Sequence, residues 1–485
     1  MRLLITLAAL ALPLAPLHAL SKAEPDLRQR VEAILAQAPA GTRYGLMVTT
    51  LEGETVIAIA PDQRFIPASN TKMFTTAAAY ARLGEVDVAA KGTGVALTGR
   101  KGRPDVLLVG RGDARLSSAA DCTENCLATL ADAVAAKTHR VNDIVGDDRF
   151  YPDERWSPGM SWNNIPTRYG TGISALTLDD NELAMMVAPA AVGEAPKIDG
   201  LVYYTLDNRA RTVPGSEVKL SHWRDPMSLV VRLTGTIGVD AKPERLRFGI
   251  DDPAHYAAWR FGEMLKARGV KVKGAVTVNH RPLLPQDDPK ERAGAAPALP
   301  AEPAMLAELP ALPLAGDVTI INKVSQNLHA ELLLRRLGRL SGSGSIADGR
   351  AALSAVMTSA GVPEPGYDLS DGSGMSSYNR MSPRGAIALL SWAIRQPWGG
   401  AWRESLPIGG QDGTLRRRFA DTPLSGKLFA KTGSLNASNA LSGYMVAASG
   451  KTLIFSAISN DCPDSETDKA LAQMDQALLE IAAAR

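Results

Sequence analysis

The stretch YGLMVTTLEGETVIAIAPDQRFIPASNTKMFTTAAAYARLG, residues 44–84, contains a strand pair and a helix in one run. Two runs rich in apolar and β-branched residues flank Glu52-Gly53, which indicates a hairpin turn. A loop follows, and then an alanine-rich helix that we expect to end at Gly84. The stretch therefore predicts a hairpin joined by a loop to a helix.

The C-terminal end of the chain mirrors this start. Three successive strand candidates, GKLFAKTGSL, NALSGYMVAAS and KTLIFSAIS, begin at residues 426, 439 and 451. A helix is predicted from Asp26 to Gln37, and a final helix carries apolar residues at helical spacing, namely Leu471, Met474, Leu478 and Ile481. A hairpin and three strands between terminal helices predict one α+β domain assembled from both ends of the chain.

The middle of the chain, roughly residues 88–290, has a different pattern of predicted elements. Short strand candidates such as DVLLVG and MSLVVRLTG alternate with loops, and one clear helix is predicted from Pro253 to Arg268. The segment from Arg281 to Pro303 holds six prolines and is typical of a linker or a surface loop. We therefore expect one or two small β-rich domains inserted into the larger α+β domain.

Charge and composition exclude several classes of protein. The chain has 485 residues, 45% of them hydrophobic, which is ordinary for a protein that buries a core. Lys plus Arg is 53 and Asp plus Glu is 51, so the formal net charge is only +2. Nucleic-acid-binding proteins usually have a large basic surplus, and we expect no nucleic-acid partner.

The N-terminus predicts export. Arg2 supplies a positive start, and an apolar run from Leu3 to Leu17 has the length of a signal-peptide core and is too short to span a bilayer. We expect a signal peptide over residues 1–19, with cleavage after residue 23 as the alternative. A buried N-terminal helix is the other interpretation, and Pro13 and Pro16 argue against it. The mature protein is therefore expected in the periplasm, without a transmembrane anchor.

The three cysteines leave two interpretations open. Cys122 and Cys126 lie four residues apart, and Cys462 stands alone. That spacing is typical of metal ligands, but no His or further Cys is near in the sequence. A short-range disulfide suits an oxidising compartment, although a regular helix would misalign the two sulfur atoms.

The histidines do not predict metal or serine–histidine chemistry. Five follow the signal segment, and they show neither His-x-x-x-His pairing nor a zinc-type cluster; they are His139, His222, His255, His280 and His329. The chain also lacks Gly-x-Ser-x-Gly before a helix and a phosphate-binding glycine loop. We expect no metal and no cofactor.

A serine activated by lysine is the better candidate. Ser69 and Lys72 lie three residues apart at the start of the predicted helix, so both side chains project from one face. The partial positive charge of the helix N-terminus disfavours the ammonium form of Lys72, whose amine can then act as a base. The alternative is an ordinary helix start, and Ser216 to Lys219 repeats the pattern in a polar stretch with no helix after it.

Two further motifs follow in the chain. Ser325-Gln326-Asn327 comes between an apparent helix end and an amphipathic segment, although Ser-x-Asn also occurs at Ser161, Ser377 and Ser434. Lys431-Thr432-Gly433 is the only Lys-Thr-Gly and falls in a predicted strand, where glycine permits close approach of a ligand. A strand edge there suits an extended peptide, and Lys431 suits a terminal carboxylate. A solvated strand lysine is the alternative.

Ser-x-x-Lys, Ser-x-Asn and Lys-Thr-Gly in this order are the signature of penicillin-binding proteins and serine β-lactamases. The long gap between the first two motifs resembles the class C low-molecular-mass penicillin-binding proteins, the D-alanyl-D-alanine carboxypeptidase/endopeptidase family (peptidase family S13). Three further stretches are similar to that family: DLSDGSGMSSYN from residue 368, LPIGGQDGTLRRRF from residue 406 and AKTGSLNASNALSGY from residue 430.

The resemblance implies a β-lactamase/transpeptidase-like domain, with a five-stranded antiparallel sheet flanked by helices, over residues 24–88 and 290–485. The inserted small domains occupy residues 89–289. Ser69 resembles the acylated nucleophile, Lys72 its base and Ser325 the proton relay. The substrate-binding residues implied are Asn327, Lys431, Thr432, Gly433 and Ser434, with the backbone N–H groups of Ser69 and Ser434 as the oxyanion hole.

The activity implied is a penicillin-sensitive D,D-peptidase of peptidoglycan stem peptides that removes terminal D-Ala and cuts D-Ala-to-diaminopimelate cross-links. β-Lactam antibiotics are the implied covalent inhibitors. Ser377 stands where family members often carry an arginine, which leaves the side-chain specificity open. A β-lactamase and a non-catalytic wall-binding or sensing protein are the alternatives, and the sequence does not indicate the oligomeric state.

Overall fold

The computed structural model describes residues 25–84, 91–99, 102–200, 202–311 and 313–485. The predicted signal peptide, residues 1–19 or 1–23, lies outside these residues. None of the helices in the described ranges is long and apolar enough to cross a membrane.

The strands are numbered in chain order. They are β1 (Arg43–Thr50), β2 (Thr55–Ile59), β3 (Lys91–Thr98), β4 (Asp105–Val109), β5 (Arg140–Val141), β6 (Ile144–Asp147), β7 (Glu182–Ala188), β8 (Lys197–Gly200), β9 (Thr205–Asn208), β10 (Arg211–Val213), β11 (Val218–Trp223), β12 (Val230–Gly238), β13 (Glu244–Gly249), β14 (Lys271–Val272), β15 (Val276–Asn279), β16 (Ala307–Pro310), β17 (Tyr367–Asp368), β18 (Arg380–Met381), β19 (Leu428–Leu435), β20 (Ser438–Val446) and β21 (Thr452–Asn460).

The α-helices are numbered in the same way. They are α1 (Pro25–Leu35), α2 (Thr71–Leu83), α3 (Leu127–Lys137), α4 (Pro253–Ala267), α5 (Leu314–Lys323), α6 (Asn327–Arg339), α7 (Ile346–Ser359), α8 (Pro383–Ala393), α9 (Gly399–Ser405) and α10 (Thr467–Ala483).

The two ends of the chain meet in one antiparallel sheet of five strands. Its order is β19-β20-β21-β1-β2, so the predicted hairpin joins the three C-terminal strands through the β1–β21 pair. β20 and β21 are buried almost throughout, because helices cover both faces of the sheet. The predicted α+β domain is confirmed.

Each face of this sheet has its own apolar core. On one face α1 and α10 pack through residues such as Val31 and Leu478 against Phe455 of β21. On the other face α2 lies at the centre of a helical layer, where Phe74 and Ala77 pack with residues of α5 to α8. An alanine-rich helix suits this position because its small side chains let neighbouring helices approach closely. The start of α2 is thereby fixed beside the sheet.

The insert has a separate core and, in its described residues, four sheets of its own, one of them the two-stranded pair of β5 and β14. The sheet β15-β6-β4-β3-β16 is covered by α3 and α4, and two smaller sheets are formed by β13-β7-β8 and by β9 to β12. The pairs β4–β6 and β6–β15 are parallel, so the insert contains βαβ crossovers in addition to the predicted short strands. The sequence pattern indicated the strands of this region but not their parallel pairing.

The return of the chain to the main domain lies later than residue 290. β16 pairs with β3, with Ala307 opposite Val95, and so belongs to the sheet of the insert. The proline-rich segment before it joins β15 to β16, two strands of that sheet. We therefore propose that the insert extends to Pro310. The four-residue strand was not predicted because it is short and follows a run of prolines.

The structure decides between the two interpretations of the cysteines. Cys122 and Cys126 form a disulfide, and Cys462 is free and buried. Cys126 is the N-cap of α3, so both cysteines precede the regular helix and their sulfur atoms can meet.

Candidate active site

The first predicted motif lies where a short turn passes into α2. A 3₁₀ turn over Ala68–Asn70 follows Pro67, and Ala68 has a positive φ of 46°. The turn places Ser69 and Lys72 on the same face, with Lys72 Nζ 2.9 Å from Ser69 Oγ. The hydroxyl and the amine are in hydrogen-bonding contact, as the three-residue spacing predicts.

Lys72 is fully buried, and three oxygen atoms surround its amine. Besides Ser69 Oγ, its Nζ contacts Asn327 Oδ1 at 2.6 Å and the backbone carbonyl of Ser373 at 2.5 Å. The last two oxygens can only accept hydrogen bonds. A neutral amine has two N–H groups for them and one lone pair, which is left to accept the proton of Ser69.

Burial also favours the neutral form of this amine. Desolvation lowers the pKa of Lys72 to about 7, while the charges of Asp371 and Glu331 act in the opposite direction. A base whose pKa lies near neutrality suits proton transfer at physiological pH.

The second motif approaches from the junction of α5 and α6. Ser325 lies between these helices with a positive φ of 61°, in the left-handed region that a non-glycine residue rarely adopts. Its Oγ accepts a hydrogen bond from Lys431 Nζ at 3.0 Å. Asn327 begins α6, and its amide donates to the backbone carbonyl of Tyr169 at 2.9 Å. The insert therefore supplies the contact that orients Asn327 toward Lys72.

The third motif lies on β19. Lys431 is fully buried and donates to the carbonyl of Thr432 at 2.9 Å as well as to Ser325, so the alternative of a solvated strand lysine is wrong. Burial and the nearby charge of Lys72 hold the pKa of Lys431 well below its ordinary value. Charging both lysine amines in one buried site has a large cost in free energy. Protonation of one lysine therefore disfavours protonation of the other.

β19 is an edge of its sheet and presents backbone groups to the site. The N–H of Ala430 donates to Pro407 O at 3.0 Å, on the side away from β20. Because backbone direction alternates along a strand, Thr432 and Ser434 face the same side. At Gly433 a Cβ atom would come within 2.5 Å of the Pro67 carbonyl, so only glycine lets the strand lie this close to the nucleophile turn.

Three contributors to the site carried no predicted role. The Ser373 carbonyl contacts Lys72, the Tyr169 carbonyl contacts Asn327, and Thr414 Oγ1 lies 2.7 Å from Thr432 Oγ1. Thr414 and Ser373 fall in stretches that resemble the family, which was the available signal. A backbone carbonyl has no sequence signature, because every residue has one.

Two other copies of the short motifs, at Ser216 and Ser377, have different surroundings. Lys219 is 67% exposed and forms an ion pair with Glu217, so Ser216 has no buried amine beside it. Ser377 Oγ donates to the carbonyl of Gly159 at the contact between the insert and the main domain. In the described part of the chain no group of three His, Cys, Asp or Glu side chains is arranged to hold a metal ion.

Comparison with known proteins identifies the family of this chain. Residues 27–481 match the sequence profile of the D-Ala-D-Ala carboxypeptidase 3 (S13) family. The chain belongs to this family. The resemblance inferred from the three motifs is confirmed, and the match of the S13 family includes the insert as well as the domain that carries the motifs.

The chain is similar to S13 relatives along most of its length. It is 33% identical to a D-alanyl-D-alanine carboxypeptidase of Actinomadura sp. (strain R39) over 460 residues, which cover 90% of this chain and 81% of the relative. It is 25% identical to D-alanyl-D-alanine carboxypeptidase DacB of Haemophilus influenzae, over 88% of this chain and 87% of that protein.

Solved structures confirm the fold of this S13 family member. The crystal structure of penicillin binding protein 4 from Haemophilus influenzae superposes with a TM-score of 0.76 at 21% sequence identity, over 92% of this chain and 98% of that one. A second structure of that protein, in complex with a β-lactam, gives a TM-score of 0.72 at 20% identity, over 93% of this chain and 99% of that one. The predicted fold class is confirmed.

Proposed function

We propose that this protein is a penicillin-sensitive serine D,D-peptidase that removes terminal D-Ala from peptidoglycan stem peptides. The observation that carries the proposal is the amine of Lys72, which is buried 2.9 Å from Ser69 Oγ among acceptors that leave its lone pair for the serine proton. Membership of the S13 family and the similarity to carboxypeptidases of Actinomadura and Haemophilus support the choice of substrate.

In the proposed acylation step Lys72 takes the proton of Ser69 while Ser69 Oγ attacks the carbonyl of the penultimate D-Ala. The backbone N–H groups of Ser69 and Ser434 stabilise the oxyanion. The bond to the terminal D-Ala then breaks, and its leaving amine needs a proton. Ser325, whose hydroxyl accepts from Lys431 Nζ at 3.0 Å, relays to the leaving amine the proton that Lys72 took from Ser69. Water releases the acyl group from Ser69 in a second step.

The substrate's terminal carboxylate has a matching set of groups beside β19. The hydroxyl-bearing residues Thr432, Thr414 and Ser434 are at least partly exposed there, and the buried amine of Lys431, on the same strand, donates to the carbonyl of Thr432. A bound carboxylate favours the ammonium form of Lys431, and this second charge disfavours the ammonium form of Lys72. Substrate binding would therefore promote the base form of Lys72 when it is needed.

The same chemistry extends to two other ligands. A D-Ala-to-diaminopimelate cross-link presents the same D-Ala carbonyl with a different leaving amine, so we propose that the enzyme cleaves it. A β-lactam carries a reactive amide and a carboxylate, and we propose that it acylates Ser69. The apolar N-terminal run supports export to the periplasm, where these substrates lie.

Intact-protein mass spectrometry tests the proposal. Incubation with penicillin should add one penicillin mass, and peptide mapping should place it on Ser69. Incubation with a pentapeptide stem should release D-Ala. Rapid loss of the penicillin adduct with turnover of the drug, and no release of D-Ala, would instead identify a β-lactamase. Absence of both reactions would identify a non-catalytic protein.

Lys431→Gln is expected to lower kcat/KM on D-Ala-D-Ala substrates by roughly ten- to a hundredfold. A charge-assisted hydrogen bond is worth about 1.5–3 kcal/mol, and each 1.4 kcal/mol corresponds to about a factor of ten in rate. A substrate amidated at its C-terminus lacks the carboxylate and should be affected less. The measurement is kcat/KM for both substrates in both proteins.

The control for this variant is Lys427→Gln, an exposed lysine just before β19, which should leave both rates unchanged. If Lys431→Gln lowers kcat/KM by the same factor for both substrates, the proposal that Lys431 recognises the carboxylate is wrong. Lys431 then acts only through its effects on Ser325 and Lys72.

A further inference from the structure

A loop over residues 371–376 carries one of the three oxygens around Lys72. The Ser373 carbonyl accepts from Lys72 Nζ at 2.5 Å, and Gly374, with a positive φ of 91°, lies against the backbone of Ala68. A Cβ atom at residue 374 would overlap the Ala68 carbonyl, so the loop packs directly on the nucleophile turn. The position of this loop therefore affects both Ser69 and Lys72.

Two buried carboxylates hold the loop from either side. Glu331 Oε1 accepts from the backbone N–H groups of Gly372 at 3.1 Å and Ser373 at 2.8 Å. Asp371 Oδ1 accepts from the N–H of Gly374 at 2.8 Å. Three consecutive N–H groups thus donate to two carboxylates, and the third belongs to the peptide group whose carbonyl contacts Lys72. Such a chain of hydrogen bonds polarises the carbonyl that holds the amine.

The spacing along α6 places Glu331 in this position. Asn327 and Glu331 are four residues apart, so they lie on one face of the helix, one turn from each other. Asn327 contacts the Lys72 amine directly, and Glu331 contacts it through the loop. One helix face therefore supports two of the three acceptors of Lys72.

We propose that Glu331 is a positioning residue for the nucleophile's base: it holds the Ser373 carbonyl on Lys72, and its negative charge favours the ammonium form of that lysine. The inference rests on the proposed role of Lys72. Glu331 is buried, and burial together with the neighbouring charge of Asp371 raises the pKa of Glu331. Because the negative charge of Glu331 favours the ammonium form of Lys72, replacing Glu331 with an uncharged residue should leave Lys72 easier to deprotonate.

Other charged groups near Glu331 and Lys72 also influence the protonation of Lys72. Asp371 faces Lys72 from the loop, and Lys431 faces it from β19. On α6, Arg335 lies one turn beyond Glu331 and forms an ion pair with Glu154 of the insert at 2.8 Å. Arg155 of the insert lines the same narrow cavity as Glu331. Glu331→Gln changes none of these groups, so a shift of the titration in that variant would report the charge of Glu331.

The test is the pH dependence of acylation by a chromogenic β-lactam, measured from pH 5 to pH 9. Glu331→Gln keeps an oxygen for the two N–H groups but removes the charge. A nearby negative charge raises the pKa of a lysine, and Glu331, whose own pKa is raised to about 7, carries that charge over the upper part of this range. The acid limb of the profile should therefore move to lower pH, by up to about one unit. Asp371→Asn removes the other charge and should move the limb in the same direction.

Thr75→Val is the matched control. Thr75 Oγ1 donates to the Gly372 carbonyl at 2.8 Å, so it anchors the same loop without a charge. Its loss should lower the acylation rate by a few-fold at every pH and leave the limb in place. An unmoved limb in Glu331→Gln, or an equal shift in Thr75→Val, would overturn the inference.

A second readout does not depend on activity. The pKa of Lys72 is measured by NMR on protein labelled with ¹³C at lysine Cε, with the signal assigned from Lys72→Arg. We expect a lower pKa of Lys72 in Glu331→Gln than in the unaltered protein. If the unaltered protein is not acylated at all, the proposed function fails while this comparison still decides the role of Glu331. Equal values of the pKa in the two proteins would contradict that role.

Discussion

Ser69→Ala is expected to eliminate the penicillin adduct and to reduce D-Ala release by a factor on the order of 10⁵–10⁶. Removing the nucleophile of a serine hydrolase has an effect of about this size, since only binding and oxyanion stabilisation remain. The change should not disturb the fold, because alanine suits the helical backbone of the turn before α2 and Ser69 is only partly buried. Intact mass and a D-Ala release assay measure both effects.

The second Ser-x-x-Lys copy provides the control for this result. Ser216→Ala should leave the adduct and the activity unchanged, because the lysine of that copy is paired with Glu217 at the surface of the insert. An adduct that persists in Ser69→Ala and disappears in Ser216→Ala would show that the nucleophile is in the insert.

Lys72→Arg is expected to slow acylation by about 10²–10⁴-fold, the usual contribution of a general base. Arginine keeps a positive charge and can still donate to Asn327 and Ser373, but it stays protonated and offers no lone pair to Ser69. The variant therefore separates proton acceptance from hydrogen-bond donation. Stopped-flow acylation with a chromogenic β-lactam gives the rate.

The pH profile makes this prediction more specific. In the unaltered protein the pKa of Lys72 is about 7, below its ordinary value, so the base form predominates above that pH and is lost as the pH falls below it. Acylation should therefore decline on the acid side of neutrality. Lys72→Arg should lack this decline, because its guanidinium does not titrate in the range. Lys219→Arg, in the second copy, is the control, and a normal rate in Lys72→Arg would exclude Lys72 as the base.

The insert has a direct part in the site, which its sequence did not suggest. The carbonyl of Tyr169 in the insert accepts from Asn327 of α6. Asp180 Oδ1, also in the insert, lies 2.9 Å from Nε2 of the buried His329 of α6. Ser377 donates to the Gly159 carbonyl of the insert. We infer that the insert serves to position α6 as well as to shape the surface beside Ser69 and Lys72.

Local patterns in the chain were sufficient for the hairpin, the C-terminal strands, the terminal helices and the three motifs. The hairpin β1–β2, the strands β19 to β21 and the start of α2 follow from alternation, apolar spacing and turn residues, which act over a few residues. The short strand β16, the parallel pairs of the insert and the disulfide of Cys122 and Cys126 depended on partners distant in sequence or on the exact helix boundary. Local patterns cannot choose among such partners.

By itself the sequence predicted the side chains that we propose carry the chemistry: a serine and a lysine three residues apart, a Ser-x-Asn and one Lys-Thr-Gly, in an order that identifies the family. Only the tertiary structure decided their proton states. Burial lowers the pKa of Lys72, and Glu331 and Asp371 oppose this effect from distant parts of the chain. Burial and the nearby charge of Lys72 lower the pKa of Lys431. Desolvation and charge proximity are properties of packed atoms, and they do not exist until the chain has folded.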